Sequence, residues 1–407
     1  MTDAVRQIAC SQCGAPLELH GGHRTRSLSC GYCGALMDTQ KDYQVVKSYK
    51  DTPRPKTPLK IGLQGTFKDI DFTIIGMVEY VSEDSYYWVD FQLYSPTHGY
   101  VWLTYNDGHY VFSRRVREIP KPAVFKGFHP RKTVKAMGKT FQAYEAYSAK
   151  ITYVEGELTW IAKRGDVVEA VDSIAPPYLF SYETASNELE YNFGEYLQAV
   201  EVHKAFNIDP PTHKPEEIHP AQPYLPNAFL TGSFVAAKYN LIFIVCVLII
   251  LLFIGGGSAI SLNANKQFHL NNAEKMLRLK IEAPVQNSWA IIKVNIYDKA
   301  TNKIVYATAK EITYYSGYDG GEHWSEGSQK AEVLFKLPKA GDYYLKIAKE
   351  GDIRKNTPVT IQLYEGVIIS RYFWLLAIFM LAMLAWLPIR RTLFEQKRWQ
   401  PIVGDDA

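Results

Sequence analysis

Three kinds of hydrophobic patterning follow one another along the chain. Residues 241–260 (LIFIVCVLIILLFIGGGSAI) run without a charge, at about 20 positions the length a helix needs to cross the hydrocarbon core of a bilayer. Residues 372–389 (YFWLLAIFMLAMLAWLPI) form a second, shorter uncharged run, with Trp374 and Trp386 near its ends, where interfacial aromatic side chains sit. Both runs are predicted to span a membrane. Between them the pattern changes to alternation: LRLKIEA, AIIKVNIYD, KIVYATA, AEVLFKL, DYYLKIAKE and TPVTIQLYE place apolar residues at every second position, as in Ile292, Val294 and Ile296 or Tyr343, Leu345 and Ile347. That period of two marks strands with one buried face. Turn signals at 298–302 and 338–342 separate at least six strands, predicting an extracytoplasmic β-sandwich of Ig or jelly-roll type over 276–364.

Upstream of the first span the alternation is richer in aromatics. The stretches IGLQGTFKDIDFTIIGMVEYV and YYWVDFQLYSPTHGYVWLTYNDGHYVF are cut by Gly99 and by Asn106-Asp107-Gly108, and the pattern restarts after Pro120 and Pro122 with turn marks at Gly156 and Gly165. Short paired strands account for it. One helical candidate follows at 193–206, with Tyr196, Leu197, Val200 and Phe206 near one face. Proline-rich polar segments at 46–58 and 209–238 read as linkers. The expected order is therefore a small N-terminal unit (1–45), a linker (46–58), a β-rich cytoplasmic domain (59–208), a second linker (209–238), a span (241–260), the sandwich (276–364), a second span (372–389) and a tail (390–407). The fold class is mainly β, in a multidomain membrane protein.

Composition narrows the function. With 407 residues, 47% apolar content and 21% charged residues, the chain can bury several cores and is not a disordered polymer. A net charge of +3 from 45 basic and 42 acidic residues gives no global cationic field of the kind nucleic-acid binding uses. The opening residues MTDAVRQIACSQC lack an apolar h-region, so no cleaved signal peptide is expected. Arg390, Arg391, Lys397 and Arg398 follow the second span and only Arg371 directly precedes it, a bias that puts the C-terminus in the cytoplasm. Two spans return the N-terminus to the same side and leave residues 261–371 outside.

The most specific signal lies at the N-terminus. Cys10, Cys13, Cys30 and Cys33 form C-x2-C-x16-C-x2-C, the spacing by which two knuckles present four thiolates to one tetrahedral zinc ion. Gly14 and Gly34 follow the two pairs and allow the tight turns that aim both sulfurs inward. Leu17, Leu19 and Leu28 alternate with polar residues, as in a short hairpin bent at Gly21 and Gly22. A zinc ribbon is predicted, with one structural Zn²⁺ supplying the folding energy that about 40 residues cannot find in a core. Arg6, His23, Arg24 and Arg26 give this unit local positive charge.

The segments LKIGLQGTF, IIGMVEY, WVDFQLY and GYVWLTYNDGHYVF, with ITYVEGELTWIAKRGD and PPYLFSYETASNELEYNFGEYLQAVEVHKAF, resemble the bacterial domain of unknown function 4178 family over about residues 58–206. The fusion to an N-terminal zinc ribbon and C-terminal membrane helices is similar to members of that family. The resemblance implies an uncharacterised domain associated with membrane-stress gene sets, including proteins similar to the phage-shock family, and it supplies no catalytic residues. Glu183 and Glu195 match recurring acidic positions of the family pattern and are candidates to hold a cation or a polyamine. A segment rich in charge, GYDGGEHWSEGS at 317–328, reads as a long outer loop in which Asp319, Glu322, His323 and Glu326 are candidate ligands for a metal ion.

No phosphate-binding glycine loop, G-x-S-x-G or H-E-x-x-H occurs in the sequence, so an enzyme is not expected. The leading expectation is a non-enzymatic adaptor or sensor anchored by two spans in a bacterial inner membrane, both termini cytoplasmic, with a role in envelope stress. Its expected partners are membrane lipid and a protein of the phage-shock-like kind. A ligand-binding or enzymatic cytoplasmic domain using Glu183 and Glu195 is the alternative, and a membrane-tethered, nucleic-acid-binding ribbon is the weaker one.

Overall fold

The computed structural model describes residues 6–403 other than 22–23, 50–51, 126, 186–187, 255 and 353–356. It divides into two compact units, Met1–Leu225 with Arg390–Ala407, and Pro226–Ile389.

In the first unit, Arg6–Ala9 (β1) and Pro16–Leu19 (β2) make a separate hairpin, while Ser27–Ser29 (β3), Ala35–Asp38 (β4) and Gln44–Ser48 (β5) join a much larger antiparallel sheet. The rest of that sheet is Gln64–Phe67 (β6), Ile70–Ser82 (β7), Tyr87–Ser95 (β8), Gly99–Asn106 (β9), His109–Val116 (β10), Thr133–Ala136 (β11), Lys139–Leu158 (β12), Val167–Ala175 (β13), Tyr178–Ala185 (β14) and Glu188–Leu197 (β15). Eight of these close on themselves in the order β7-β8-β9-β10-β15-β14-β13-β12, because the far end of β12 pairs back to β7 from Ile151↔Tyr80 to Gly156↔Gly76. The result is a β-barrel, which leaves no free edge among those eight strands.

Two glycines make the seam. A Cβ on Gly76 would stand 2.2 Å from the Glu157 carbonyl oxygen, and one on Gly156 would stand 2.3 Å from that of Ile75. Gly156 also has φ +79°, a conformation open to glycine at little cost. Just past the seam, Gly156–Leu158 pair with Ser29–Ser27 of β3, so the N-terminal strands extend the wall of the barrel. Glu157, 1% exposed, accepts the backbone N–H of His20 and of Gly21 and the Thr25 hydroxyl.

The alternation along the strands puts apolar side chains outside the barrel, while the inner face mixes polar side chains with an apolar cluster that includes Tyr80, Trp88, Trp102, Tyr147, Ile151 and Val168. Val89, Phe91 and Leu93 of β8 and Leu103 of β9 join Leu59, Phe67, Val202 and Phe206 in a core between the outer wall and the flanking segments. Phe141, Phe180 and Tyr182 pack with Val116 and Val134 on another sector. Each such buried side chain contributes about 1.5–3 kcal/mol relative to exposure. These jackets leave the inner face free for other chemistry. The helical candidate at 193–206 is shorter than its pattern predicts: β15 runs on to Leu197, paired with Tyr110 of β10, and only Ala199–Ala205 (α1) is helical, opened by a capping box between Gln198 and Glu201.

The second unit begins with Ala228–Ile254 (α2) and contains Ser258–Ile260 (β16), Gln267–Leu270 (β17), Leu277–Glu282 (β18), Ser288–Asp298 (β19), Ile304–Asp319 (β20), Glu322–Ser328 (β21), Lys330–Phe335 (β22), Gly341–Gly351 (β23) and Thr360–Glu365 (β24). Its strands form a four-stranded sheet, β16-β24-β18-β22, and a five-stranded sheet, β17-β23-β19-β20-β21. Both sheets feed one core, with Leu277, Leu279 and Leu363 from the first and Ile292, Val294, Ile296 and Tyr343 from the second. The segment at 317–328 is not a loop. β20 and β21 pair down to Asp319↔Glu322 around Gly320 and Gly321, at φ +59° and +90°, the two-residue turn that glycine favours in hairpins.

Arg371–Val403 (α3) closes the chain. Both α2 and α3 are long and apolar enough to cross a membrane, and Ile244 and Leu248 of α2 pack with Ala377 of α3. The first helix starts and stops earlier than its apolar run. After it, Gly257 (φ +75°) leads into β16 where an added Cβ would meet the Glu365 carbonyl oxygen at 2.5 Å, so this glycine serves the sheet. Gly255, in the same apolar run, lies outside the described residues.

Candidate functional site

The barrel is hollow. Its lumen measures about 2320 Å³, beyond the ~300–1,000 Å³ common for small-molecule sites. Strand parity decides the lining: Trp88 and Asp90 from β8, Trp102 and Thr104 from β9, Asp172 from β13 and Ser181 and Glu183 from β14 all border the cavity. The tryptophans are held by neighbours, Trp88 stacked on Tyr80 at 5.4 Å and edge-on to Tyr147 at 5.6 Å, and Trp102 edge-on to Trp160 at 5.4 Å.

Four lumen carboxylates sit in this wall without a basic partner. Asp90 accepts the Thr104 hydroxyl at 2.6 Å and Asp172 accepts the Ser181 hydroxyl at 2.6 Å. Glu183 is hydrogen-bonded by the Asn192 side chain. Among the described residues, no Lys, Arg or His lies within ion-pair distance of these three or of Glu145. Desolvation in the wall therefore dominates the protonation of these three: it pushes Asp90 and Asp172 up to about 6 and Glu183 to about 8, with neighbouring carboxylates adding to it at Asp172 and Glu183, while Glu145 is exposed. Glu190 differs, being held by Arg115 at 2.7 Å.

The segment 216–220 borders the same lumen. His109 of β10 accepts the Tyr196 hydroxyl at Nδ1 (2.9 Å) and donates from Nε2 to the Glu217 carbonyl oxygen (3.1 Å). His219 takes the Ala221 N–H on Nδ1 at 3.1 Å, and burial pushes it down to about 3. Both imidazoles are neutral near pH 7, so neither offsets the acidic wall. Behind this segment, Arg398, 1% exposed, donates to the Pro220 and Gln222 carbonyl oxygens, and its own carbonyl accepts the Tyr144 hydroxyl at 2.8 Å. Trp399 packs on Tyr144 at 5.3 Å under the Arg131 guanidinium.

A second site is built by the cysteines. The Sγ atoms of Cys10, Cys13, Cys30 and Cys33 all lie within 4.8 Å of one another. Cys10 and Cys33 are 3.8 Å apart, and Cys13 and Cys30 are 3.9 Å apart, close to the edge of about 3.8 Å of a tetrahedron with metal–sulfur bonds of ~2.3 Å. The two knuckles repeat one geometry. Gly14 N–H reaches the Cys10 carbonyl and Gly34 N–H that of Cys30, both at 2.8 Å, with φ +74° and +69° at the glycines. Burial, with the crowding of neighbouring sulfurs, pushes the Cys33 thiol up to about 12, which a bound cation would reverse. The set fits a metal ion.

The other predicted residues separate. Glu183 enters the lumen, whereas Glu195, opposite Tyr178 and Phe112, pairs with Lys68 away from it. The two do not form one cluster. Asp319, Glu322, His323 and Glu326 are spread along the exposed β20–β21 hairpin, with His323 edge-on to Tyr318, and they do not converge as metal ligands. Of the N-terminal basic residues, Arg26 pairs with Asp38 at 3.4 Å and Arg24 borders the lumen. The Arg6 side chain and His23 lie outside the described residues. Sequence reasoning missed Asp90, Glu145 and Asp172. The signal present was their place on alternating strands, but parity identifies a shared face only once the strand register is known.

Residues 60–199 match the family described as domain of unknown function (DUF4178), a range that contains all eight strands of the closed wall. No curated protein and no solved structure matches the chain.

Proposed function

We propose that the first unit is a small-molecule-binding barrel held at a membrane by α2 and α3, and that the protein acts as a non-enzymatic sensor of what the lumen holds. The observation that carries this is the lumen itself: an eight-stranded closed wall around about 2320 Å³ of open space, with an apolar cluster about Tyr80, Trp88 and Ile151 on one part of its lining and acidic side chains on the rest. Small barrels fill their interior with side chains unless a ligand is to enter. In this account the four cysteines hold one structural Zn²⁺, which leaves no open position for chemistry. The barrel and both termini face the cytoplasm of a bacterial inner membrane, and the two sheets of the second unit form a sandwich outside. Arg398 and Trp399, at the end of α3, pack against the barrel wall and supply a route from an occupied lumen to the membrane helix. The test is native mass spectrometry of the full-length protein in mild detergent. A small molecule is expected to ride with the wild type and to be held at lower occupancy by Ser113→Trp, which projects an indole into the lumen from β10. Wild-type protein without a bound mass, or equal occupancy in both proteins, would overturn the assignment.

A further inference from the structure

The chemistry of the lumen wall narrows what can enter it. An anion meets a lining in which carboxylates far outnumber the three guanidiniums, Arg24, Arg115 and Arg117, and in which Asp90, Asp172 and Glu183 have no basic partner among the described residues. A neutral apolar molecule leaves those carboxylates desolvated and uncompensated, a costly arrangement in a confined space. A metal ion needs converging ligands, and among the described residues only the four cysteines bring such atoms together. The lumen carboxylates are instead dispersed: Asp172 faces Ser181 across β13 and β14, so Glu183 is diagonal to it, at about 7–8 Å, and Asp90 stands on β8 across the closed wall. Between them Tyr80, Trp88, Tyr147 and Trp102 present aromatic surfaces, which suit methylene groups and attract ammonium groups.

We infer that the lumen takes an elongated aliphatic polyamine, its ammonium groups paired with Asp90, Asp172 and Glu183 and its methylene runs laid against the tryptophans. This deepens, and rests on, the assignment of the lumen as a ligand cavity. Burial holds these acids partly protonated when no cation is present. A bound cation favours the carboxylate form, so binding at neutral pH releases protons. Arg115 is held by Glu190, and Arg24 and Arg117, which also border the lumen, make no ion pair with these acids among the described residues. His109 and His219, lowered by burial, stay neutral throughout.

The experiment is calorimetric titration of full-length protein in nanodiscs of zwitterionic lipid, with spermidine as the probe and 1,8-octanediol as a neutral chain of similar length. Spermidine is expected to bind with proton release, seen as a heat that varies with the ionisation enthalpy of the buffer. Asp172→Asn with Glu183→Gln is expected to weaken it about tenfold or more and to abolish most of the proton release. These isosteres remove buried charge and keep shape, so the barrel folds, which circular dichroism checks. Glu195→Gln is expected to keep the wild-type affinity, since Glu195 points away to Lys68. Equal spermidine affinity in the double variant would overturn the inference. Binding of octanediol without spermidine would overturn it too, while leaving the lumen a ligand cavity; binding of neither would overturn the polyamine inference and leave the cavity assignment to the mass-spectrometric test.

Discussion

Glu183 and Glu190 stand directly opposite each other on β14 and β15, both lining the lumen, yet only Glu190 has a basic partner, Arg115 at 2.7 Å. Glu183 is left with a hydrogen bond from Asn192 and is raised to about 8 by burial. A folded-state pKa above the unfolded value, about 4.5, means that the native state keeps a proton the unfolded chain has already released. The stability this group contributes is thus fully present below about 4.5 and lost as pH rises toward 8. Glu183→Gln is expected to melt with the wild type near pH 4.5 and several degrees above it near pH 8. Thermal melts across that range check the divergence; parallel curves would contradict it. His109 and His219 act in the other direction, costing stability as pH falls below about 6.5, but they are common to both proteins and cancel in the difference.

For the cysteine site, Cys13→Ala or a strong chelator is expected to remove one equivalent of metal and to expose residues 6–49 to protease. The barrel melts on its own core and changes little, because its closing pairs run between β7 and β12. Metal content by mass spectrometry, set beside limited proteolysis, checks both statements. Wild-type protein purified reduced and without chelator should carry the metal, and its absence there would contradict the prediction.

Arg398 is expected to hold the segment at the lumen rim. Its guanidinium bonds the carbonyls of Pro220 and Gln222, so Arg398→Ala leaves buried acceptors without donors, at about 1–3 kcal/mol per group. Hydrogen exchange in residues 217–222 should quicken by tenfold or more, by the same energy expressed as a rate, while β8 and β9 stay protected. Unchanged exchange at the rim would show that the segment is held by its other contacts.

The orientation account predicts that a cysteine at Ser316, on β20 of the second unit, reacts with an impermeant thiol reagent in intact cells, and that one at Thr184, exposed on β14, does not until the cells are opened. The reverse pattern would place the barrel outside.

What could be read from the chain depended on how local the cause was. The cysteine knuckles were legible because each is a four-residue motif closed by its own glycine, and both membrane-length helices because uncharged runs of 20 and 18 residues need no partner to be recognised. The alternation at Ile292, Val294 and Ile296 likewise gave the buried face of β19. The lumen was not legible. Its wall closes only when Gly76 meets Gly156, 80 positions away, and until that register is set, alternation does not say which face of β8 is inside. Aromatic-rich strands invite an apolar interior, whereas here Phe91 and Leu103 turn outward under Val202 and Phe206 while Asp90 and Trp102 turn inward. The same blindness joined Glu183 to Glu195, which share a chemistry but not a face. Local pattern also lengthened α1: Tyr196 and Leu197 fit a helical face but are drawn into β15 by pairing with β10.

The central claim, a hollow acidic barrel that admits cations, is tested most directly by thiol labelling inside the lumen. Ser113 borders the cavity on β10, its neighbour Phe112 facing outward, and Ser113→Cys in a Cys246→Ser background places one free thiol there, the other four belonging to the cluster that fits a metal. The rates of modification by a small cationic and a small anionic methanethiosulfonate, each normalised to a free thiol in solution, are measured on the full-length protein. The account predicts that the cationic reagent is favoured by tenfold or more through the field of Asp90, Asp172 and Glu183, and that the preference collapses in Asp172→Asn with Glu183→Gln. No labelling by either reagent, or equal normalised rates in the unaltered lumen, would contradict it.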